Sequence, residues 1–180
     1  MQRQSFEHTF QIERFNTPTG RMLVVSDDDG QLRAIDWEDH EARMQRLLGR
    51  YYRKSNVSLR EVSRKSTARQ ALDAYFSGEL SGIERLKTVT NGTEFQREVW
   101  NALRRIPSGR TLSYGALANQ IGRPAAVRAV GLANGANPIA IVVPCHRVIG
   151  ANAALTGYGG GLERKRWLLA HEAESARGFS

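Results

Sequence analysis

The pattern of apolar residues changes once along this 180-residue chain, near residue 90, and that change limits the possible folds. Short apolar or alternating segments come first, separated by turn signals, and they predict strands of an antiparallel sheet. These segments are "HTFQIERF", "RMLVVS" and "QLRAIDWE", with the turns "TPTG" and "DDDG" between them. Two helical faces follow, around Met44 and Leu72. The first part therefore predicts an α+β layer without a visible catalytic group.

The second part of the chain predicts mostly helices. Thr93 and Gln96 have the spacing of a capping box at a helix start. Ser113 can cap a short helix from Tyr114 to about Ile121, and Pro124 suits the first turn of another, which runs to about Gly135. Two short helices joined by "GRP" predict a helix-turn-helix. We therefore predict an N-terminal part, residues 1–90, and a C-terminal part, residues 91–180.

Positive charge is concentrated in the C-terminal part. The net charge is +8, with 15 Lys+Arg against 13 Asp+Glu in residues 1–90 and 11 against 5 in residues 91–180. No acidic residue lies between Glu98 and Glu163, an interval that we call the acid-free interval. Its arginines are Arg104, Arg105, Arg110, Arg123, Arg128 and Arg147. A basic surface without carboxylates favours a polyanion such as nucleic acid, and solubility is the alternative explanation.

The second helix of the helix-turn-helix consists almost entirely of small residues. Its sequence, "PAAVRAVGLANGAN", contains one long charged side chain, Arg128. An ordinary helix is about 10–12 Å across, whereas the minor groove of DNA is about 6 Å wide. A helix made of Ala and Gly could approach that groove closely. The alternative is a helix packed tightly inside the protein.

The segment "IAIVVPCHRVIG" contains the only cysteine of the chain, Cys145, followed directly by His146. A thiol there can be a nucleophile, a metal ligand or an inert buried side chain. A lone cysteine excludes an internal disulfide and a cysteine-rich zinc site, and we expect neither metal nor cofactor. Pro144 ends the apolar run, so a turn or short helix should begin at Cys145. We expect backbone N–H groups there to lower the pKa of the thiol.

A histidine that acts as a base needs a partner that orients its ring. Adjacent side chains diverge, so a bridging water should connect His146 to the thiol. Glu172 lies four residues after Leu168, which predicts that it points inward, although His171 could take that place instead. The preceding segment, "TGYGGG", has the composition of a loop that closes over a flat ligand, or of a plain connection.

Together these motifs resemble the O6-alkylguanine-DNA alkyltransferases. The motif "IVVPCHRVIG" carries the resemblance, and "FQREVW", "SYGALA", "RAVGLANGANP" and "GYGGGLERKRWLLAHE" support it over about residues 93–172. The resemblance implies an N-terminal α+β domain of ribonuclease H-like fold and a C-terminal helical domain of winged-helix type. It is closest to the constitutive bacterial form. It also implies direct DNA repair, by irreversible, single-turnover transfer of an alkyl group from O6-alkylguanine, and from O4-alkylthymine.

The resemblance also implies roles for particular residues. Cys145 accepts the alkyl group, His146 acts as base through a water, and Glu172 holds the imidazole. Tyr114 helps to flip the nucleotide and donates a proton or hydrogen bond to the leaving guanine. Asn137 fixes the hinge before the cysteine segment.

The remaining implied residues contact DNA or the flipped base. Arg128 fills the gap in the base stack, and its helix contacts DNA through small residues. Those residues are Ala126, Ala129 and Gly131, with Tyr114 beside them. The pocket comprises Val148, Tyr158, Gly159 and Ala140, with the Val148 and Cys145 carbonyls reading the guanine amino group. Some relatives have proline in place of Ala140, which implies a different range of bulky alkyl groups.

The expected partner is double-stranded DNA that carries O6-alkylguanine. We expect a cytoplasmic protein without membrane contact, since no apolar stretch could span a bilayer and "MQRQSFEHTF" lacks the run of a signal peptide. We further expect a monomer in free solution that binds DNA cooperatively. Two competing interpretations are a DNA-binding module that senses alkylated bases without chemistry, and a cysteine hydrolase.

Overall fold

A four-stranded sheet forms the N-terminal part in the computed structural model, which describes residues 6–53 and 55–178. The first five residues, in which we looked for a signal peptide, lie outside the described residues. The strands are β1 (Phe6–Thr17), β2 (Gly20–Ser26), β3 (Leu32–Trp37) and β4 (Ser55–Glu61), in the order β3-β2-β1-β4. The two predicted hairpins are present, with β1 and β2 antiparallel from Gln11↔Ser26 to Thr17↔Gly20.

The three predicted strands pair antiparallel, but a fourth strand that we did not predict, β4, pairs with β1 in parallel. A helix, α1 (Glu41–Tyr51), connects β3 to β4 and returns the chain in the same direction, as parallel pairing requires. The sequence of β4, "SNVSLRE", is mostly polar and therefore only weakly indicates a strand. The sheet is therefore mixed, within the α+β class that we predicted.

Both faces of the sheet are covered by helices. On one face, Met44 and Leu48 of α1 pack against alternate strand residues such as Ile12 and Leu23. On the other face, the second helix, α2 (Thr67–Phe76), contributes Leu72 and Tyr75 to a larger cluster. Successive side chains of β2 point to opposite faces of the sheet. The strand is buried on both faces and therefore contributes residues to both clusters.

The C-terminal part contains the predicted helices. They are α3 (Glu94–Leu103), α4 (Tyr114–Gln120), α5 (Val127–Gly135) and α6 (Leu162–Arg177), with a two-stranded parallel ribbon of β5 (Leu112–Ser113) and β6 (Val148–Ile149). The Thr93–Gln96 capping box and the Ser113 cap both form. Pro124–Ala126 form a 3₁₀ turn, so α5 begins three residues later than we predicted. No helix within the described residues is long and apolar enough to cross a membrane.

The segment before the cysteine is attached to the edge of the N-terminal sheet. The backbone N–H of Ile35 in β3 donates to the Pro138 carbonyl at 3.0 Å, and the N–H of Ala140 donates to the Ile35 carbonyl at 3.1 Å. The larger apolar cluster also includes residues of both parts, from Phe15 to Leu168. The N-terminal part therefore supports the cysteine segment directly. The boundary at residue 90 stays a prediction.

Candidate active site

Cys145 begins a short 3₁₀ turn, Cys145–Arg147, and only 6% of its surface is exposed. Ile141, in the turn before it, has a φ of +68°, which is a strained conformation for a β-branched residue. The side chain of Asn137 holds this bend together. Its Nδ2 donates to the Val143 carbonyl at 2.8 Å and to the Cys145 Sγ at 3.1 Å. Asn137 thus connects the backbone bend and the thiol.

The expectation that backbone N–H groups lower the pKa of the thiol was wrong in its net result. Burial raises the pKa of Cys145 above its ordinary value. The Asn137 hydrogen bond and the Cys145 backbone N–H act in the opposite direction but do not outweigh burial. The resting protein therefore favours the neutral thiol, so a base must remove its proton before the sulfur can react.

His146 and Glu172 form a fully buried pair. The His146 Nε2 lies 2.7 Å from the Glu172 Oε1, and neither residue has exposed surface. Between the two candidates on α6, Glu172 takes the inward place. His171 lies at the half-buried edge, where its Nε2 is 2.6 Å from the Tyr75 carbonyl and its ring stacks on Trp167.

The carboxylate of Glu172 is the centre of a larger polar network. The Tyr75 hydroxyl donates to Oε1 at 2.8 Å, and Arg147 donates from Nε to Oε2 at 2.9 Å and from Nη2 to Oε1 at 2.8 Å. Burial works to raise the pKa of Glu172, but His146 and Arg147 more than offset it and hold that pKa well below its usual range. Glu172 is therefore a carboxylate.

The other nitrogen of His146 is free to act as a base. Burial lowers the pKa of His146, so the ring is neutral, although Glu172 opposes this shift. A neutral ring must carry its proton on Nε2 to donate to the carboxylate, which leaves the lone pair on Nδ1. Nδ1 is buried and has no hydrogen-bond partner among the described protein atoms. This tautomer can accept a proton from the thiol side through a water.

Arg147 was assigned to the basic surface from the sequence, and that interpretation was wrong. Its guanidinium is buried against Glu172 and also donates to the Ile106 carbonyl at 2.6 Å. A buried carboxylate needs a compensating charge, and Arg147 supplies it. The sequence "CHR" gave no signal that distinguishes Arg147 from the exposed arginines. The rest of the acid-free interval does carry exposed arginines, namely Arg105, Arg110, Arg123 and Arg128.

Lys165 is a site residue that the sequence reasoning missed. Its Nζ donates to the Val148 carbonyl at 2.6 Å and to the Thr156 carbonyl at 2.9 Å, and burial lowers its pKa. Its spacing from Leu168 and Glu172 on α6 could have revealed an inward position. Asn134 similarly donates to the Cys145 carbonyl at 3.4 Å. Both carbonyls expected to read the guanine amino group thus already have a donor.

The "TGYGGG" loop packs beside the thiol. The Tyr158 ring lies 6.5 Å from the His146 ring and 6.1 Å from the Trp37 ring, and its buried hydroxyl has no partner among the described protein atoms. A Cβ on Gly159 would lie 2.6 Å from the Arg43 guanidinium, so a larger residue there would displace the end of that side chain. Val148 and Ala140 are buried in the apolar cluster that also contains Cys145, and Tyr158 packs against that cluster. The assignment of these residues and Gly159 to one pocket stays a prediction.

The helix-turn-helix presents one packed and one open face. In α5, Val130, Ala133 and Asn134 are buried, whereas Arg128 and Ala129 are exposed. The alternative of an internal helix is therefore wrong. Ala126 and Gly131 are half-buried, and a Cβ on Gly131 would lie 3.9 Å from the ring of Tyr114, at the start of α4. A side chain at this position would make only an ordinary contact with Tyr114, so the packing of the two helices does not require glycine here.

A buried thiol with a histidine–carboxylate pair, placed behind a small-residue helix-turn-helix, defines a class of DNA-directed alkyl acceptors. Two family models match the chain, and both agree with this class. One, described as "6-O-methylguanine DNA methyltransferase, ribonuclease-like domain", matches residues 12–89, and the other, described as its "DNA binding domain", matches residues 94–174. The chain belongs to the 6-O-methylguanine DNA methyltransferase family. The resemblance and fold class inferred from the sequence are confirmed.

Individual relatives agree over nearly the whole chain. The methylated-DNA–protein-cysteine methyltransferase of Salmonella typhimurium is 54% identical over 160 residues, which cover 89% of this chain and 94% of the relative. The protein of the same name from Methanosarcina acetivorans is 46% identical over 155 residues, 86% of this chain and 93% of its own. The crystal structure of Mycobacterium tuberculosis OGT in complex with DNA superposes with a TM-score of 0.74 at 42% identity, covering 92% of this chain and 94% of that one.

Proposed function

We propose that this protein repairs double-stranded DNA directly, by moving the alkyl group of O6-alkylguanine onto the Sγ of Cys145. The observation that carries the proposal is the buried chain of contacts from Asn137 to Cys145 and from His146 to Glu172. The names of the relatives, and the solved complex of one of them with DNA, support the same activity. Each molecule reacts once, because a thioether has no labile bond and the chain has no second cysteine.

The first step is removal of the thiol proton. His146 Nδ1 accepts the proton through a water, and Glu172 stabilises the imidazolium that results. The thiolate attacks the alkyl carbon in line with the C–O bond, so a C–S bond forms as the C–O bond breaks. The bonding electrons leave with the guanine oxygen, and Tyr114 donates a proton or hydrogen bond to the departing base. Guanine leaves as a neutral base when Tyr114 transfers its proton, and the proton that His146 took from the thiol then balances the tyrosinate.

The target atom is buried in a duplex, so the nucleotide must be flipped out before reaction. The exposed side of α5 suits entry into the minor groove, where Ala126, Ala129 and Gly131 permit close approach. Arg128 fills the gap that the flipped nucleotide leaves. Minor-groove reading carries little sequence information, which suits a protein that must act at any sequence.

The flipped guanine would lie between the Tyr158 loop and the Cys145 turn. Val148 and Cys145 offer carbonyls to its amino group, with Lys165 and Asn134 holding those carbonyls in place. Gly159 and Ala140 form parts of the wall of this guanine pocket. O4-alkylthymine is a second substrate of the same pocket. A cytoplasmic location, a monomer in free solution and cooperative binding to DNA stay predictions.

Intact-mass spectrometry after mixing with an O6-methylguanine oligonucleotide tests the proposal. We expect a gain of one methyl group, located on the Cys145 peptide. A DNA-binding module without chemistry would gain no mass, and a cysteine hydrolase would return to its starting mass. Either result would refute the proposed transfer.

A further inference from the structure

One face of α1, in the N-terminal part, carries arginines at helical spacing. Arg43, Arg46 and Arg50 are three and four residues apart, which places them in one row along the helix. No acidic residue lies between Glu41 and Glu61. The row is therefore a second acid-poor segment, outside the acid-free interval, and nothing in the proposed chemistry uses it.

The fold places this row beside α5. A groove of about 430 Å³ runs between the two helices, lined by Arg46 and Arg50 on one side and by Gly131, Leu132 and Gly135 on the other. Two hydrogen bonds fix the helices to each other. The Arg43 Nη2 donates to the Gly135 carbonyl at 2.9 Å, and the Tyr51 hydroxyl donates to the Ala136 carbonyl at 2.7 Å. The row therefore keeps a constant position beside α5.

The three arginines differ in what they contact. Arg43 pairs with the buried Asp36 at 2.8 Å, so its charge is compensated inside the protein. Arg46 and Arg50 are exposed, and no ion pair among the described residues includes either of them. Two uncompensated guanidinium groups at the rim of a groove form a site for anions.

The other side of the groove carries an exposed apolar residue. Leu132 has 70% of its surface exposed, although it projects from the helix for which we propose entry into the minor groove. Sugar edges form the apolar part of that groove's walls, and two rows of phosphates border it. Duplex DNA carries about one negative charge per 1.7 Å of its axis. Guanidinium groups beside a helix in the minor groove therefore lie beside phosphates.

We propose that the DNA interface extends onto α1, where Arg46 and Arg50 bind phosphates of the strand that borders α5. The inference rests on the proposed function and adds a contribution of the N-terminal part to DNA binding. Charge complementarity and continuity with the exposed side of α5 carry it. The contact is independent of sequence, because it reaches phosphates and no bases.

The salt dependence of binding to an undamaged 20-base-pair duplex tests this inference. Each phosphate contact contributes about 0.9 to the slope of log K against log salt concentration. The double variant R46A/R50A should therefore show a slope about 2 smaller in magnitude than the unchanged protein. The control R60A/R64A removes the same charge from residues at the β4 edge of the sheet, away from β3 and the cysteine segment, and should keep the slope. R46K/R50K retains both charges and should keep it as well.

Equal slopes for R46A/R50A and R60A/R64A would overturn the extension onto α1, whether both variants keep the slope of the unchanged protein or both reduce it. Methyl transfer from an O6-methylguanine duplex to the unchanged protein, measured by intact mass, separates the two proposals. Transfer with equal slopes rejects the α1 contact alone. Absence of transfer rejects the proposed function whatever the slopes.

Discussion

Arg147 and Arg128 belong to the same acid-free interval, yet the fold uses them in opposite ways. Arg147 is buried and donates to both carboxylate oxygens of Glu172, at 2.9 and 2.8 Å. Arg128 is exposed on α5, and no ion pair among the described residues includes it. The difference comes from one buried carboxylate, which attracts the arginine that can reach it. Charge patterns in a sequence therefore indicate a basic surface but not which residues form it.

The same contrast separates two regions of the molecule. The centre around Cys145 and Glu172 is buried, closely packed and hydrogen-bonded, so its parts depend on each other. The exposed side of α5 carries small side chains, the apolar Val127 and Leu132, and one arginine, Arg128. We therefore expect changes at the centre to alter chemistry and stability, and changes on α5 to alter only the steps that involve DNA.

The largest effect should come from Cys145→Ser. A hydroxyl at this position is a much weaker nucleophile, so alkyl transfer should disappear. Duplex affinity should remain nearly unchanged, because binding rests on arginines and on the small-residue helix. Intact mass measures transfer, and fluorescence anisotropy with a labelled duplex measures binding. A folded variant that no longer binds the duplex would contradict the separation of the two regions.

Glu172→Gln should be the most destabilising single change at the centre. It leaves Arg147 as a buried charge without a carboxylate, which typically costs about 3–5 kcal/mol. Urea unfolding followed by circular dichroism measures that loss of unfolding free energy. Glu174→Gln changes an exposed residue of the same helix and should have little effect. Equal stability of the two variants would contradict the central role that we assign to Glu172.

The stability that Glu172 contributes should also depend on pH. Its pKa is lowered in the folded protein from an ordinary value of 4.5, so the unfolded chain binds more protons in acid. The contribution to stability is complete at pH values above the ordinary pKa. It is lost as the pH falls through the pKa that Glu172 has in the folded protein. The difference in unfolding free energy between the unchanged protein and Glu172→Gln should therefore be constant above about pH 5 and shrink below pH 4.5. A difference that grows in acid would have the wrong sign.

Arg128→Ala should affect the DNA step alone. Opening and unstacking a base pair costs a few kcal/mol, so losing the residue that fills the gap should slow reaction with duplex DNA at least about tenfold. Reaction with free O6-benzylguanine should continue at the original rate. Arg110→Ala removes another exposed arginine of the acid-free interval and is the matched control. Equal losses on both substrates would place Arg128 in the pocket or in the fold instead.

The smallest effect should be on the stability of the product. Cys145 packs against Asn137, so an added methyl group overfills the site and should cost about 1–3 kcal/mol. For a chain of this size, each kcal/mol lowers the melting temperature by about 2–4 °C. Differential scanning fluorimetry of methylated and free protein measures the shift. A product that melts above the free protein would show that the site has room for the group.

Local patterns in the sequence predicted much of this site. The capping box at Thr93, the cap at Ser113 and the turn at Cys145 depend on residues close in sequence, and all three form. The spacing of α6 placed Glu172 among its inward residues. Such features follow from short-range geometry, which a sequence displays directly.

Long-range features could not be read in this way. The parallel pairing of β4 depends on how α1 crosses the sheet, and its polar strand shows no alternation. The raised pKa of Cys145 depends on burial by distant segments, which outweighs the local backbone. The row of arginines on α1 is relevant to DNA binding only because it lies beside α5, which comes about 80 residues further along the chain. In each case the missing information was a contact between remote parts.

Titration with an excess of O6-methylguanine duplex, followed by intact mass, tests the central claim most directly. The account predicts that methyl incorporation rises linearly and stops at about one group per protein, with every modified molecule carrying it on Cys145. Further duplex should then remain unrepaired, because the chain has no second cysteine to receive the group. Continued repair of excess duplex by a protein whose Cys145 stays unmodified would contradict the account.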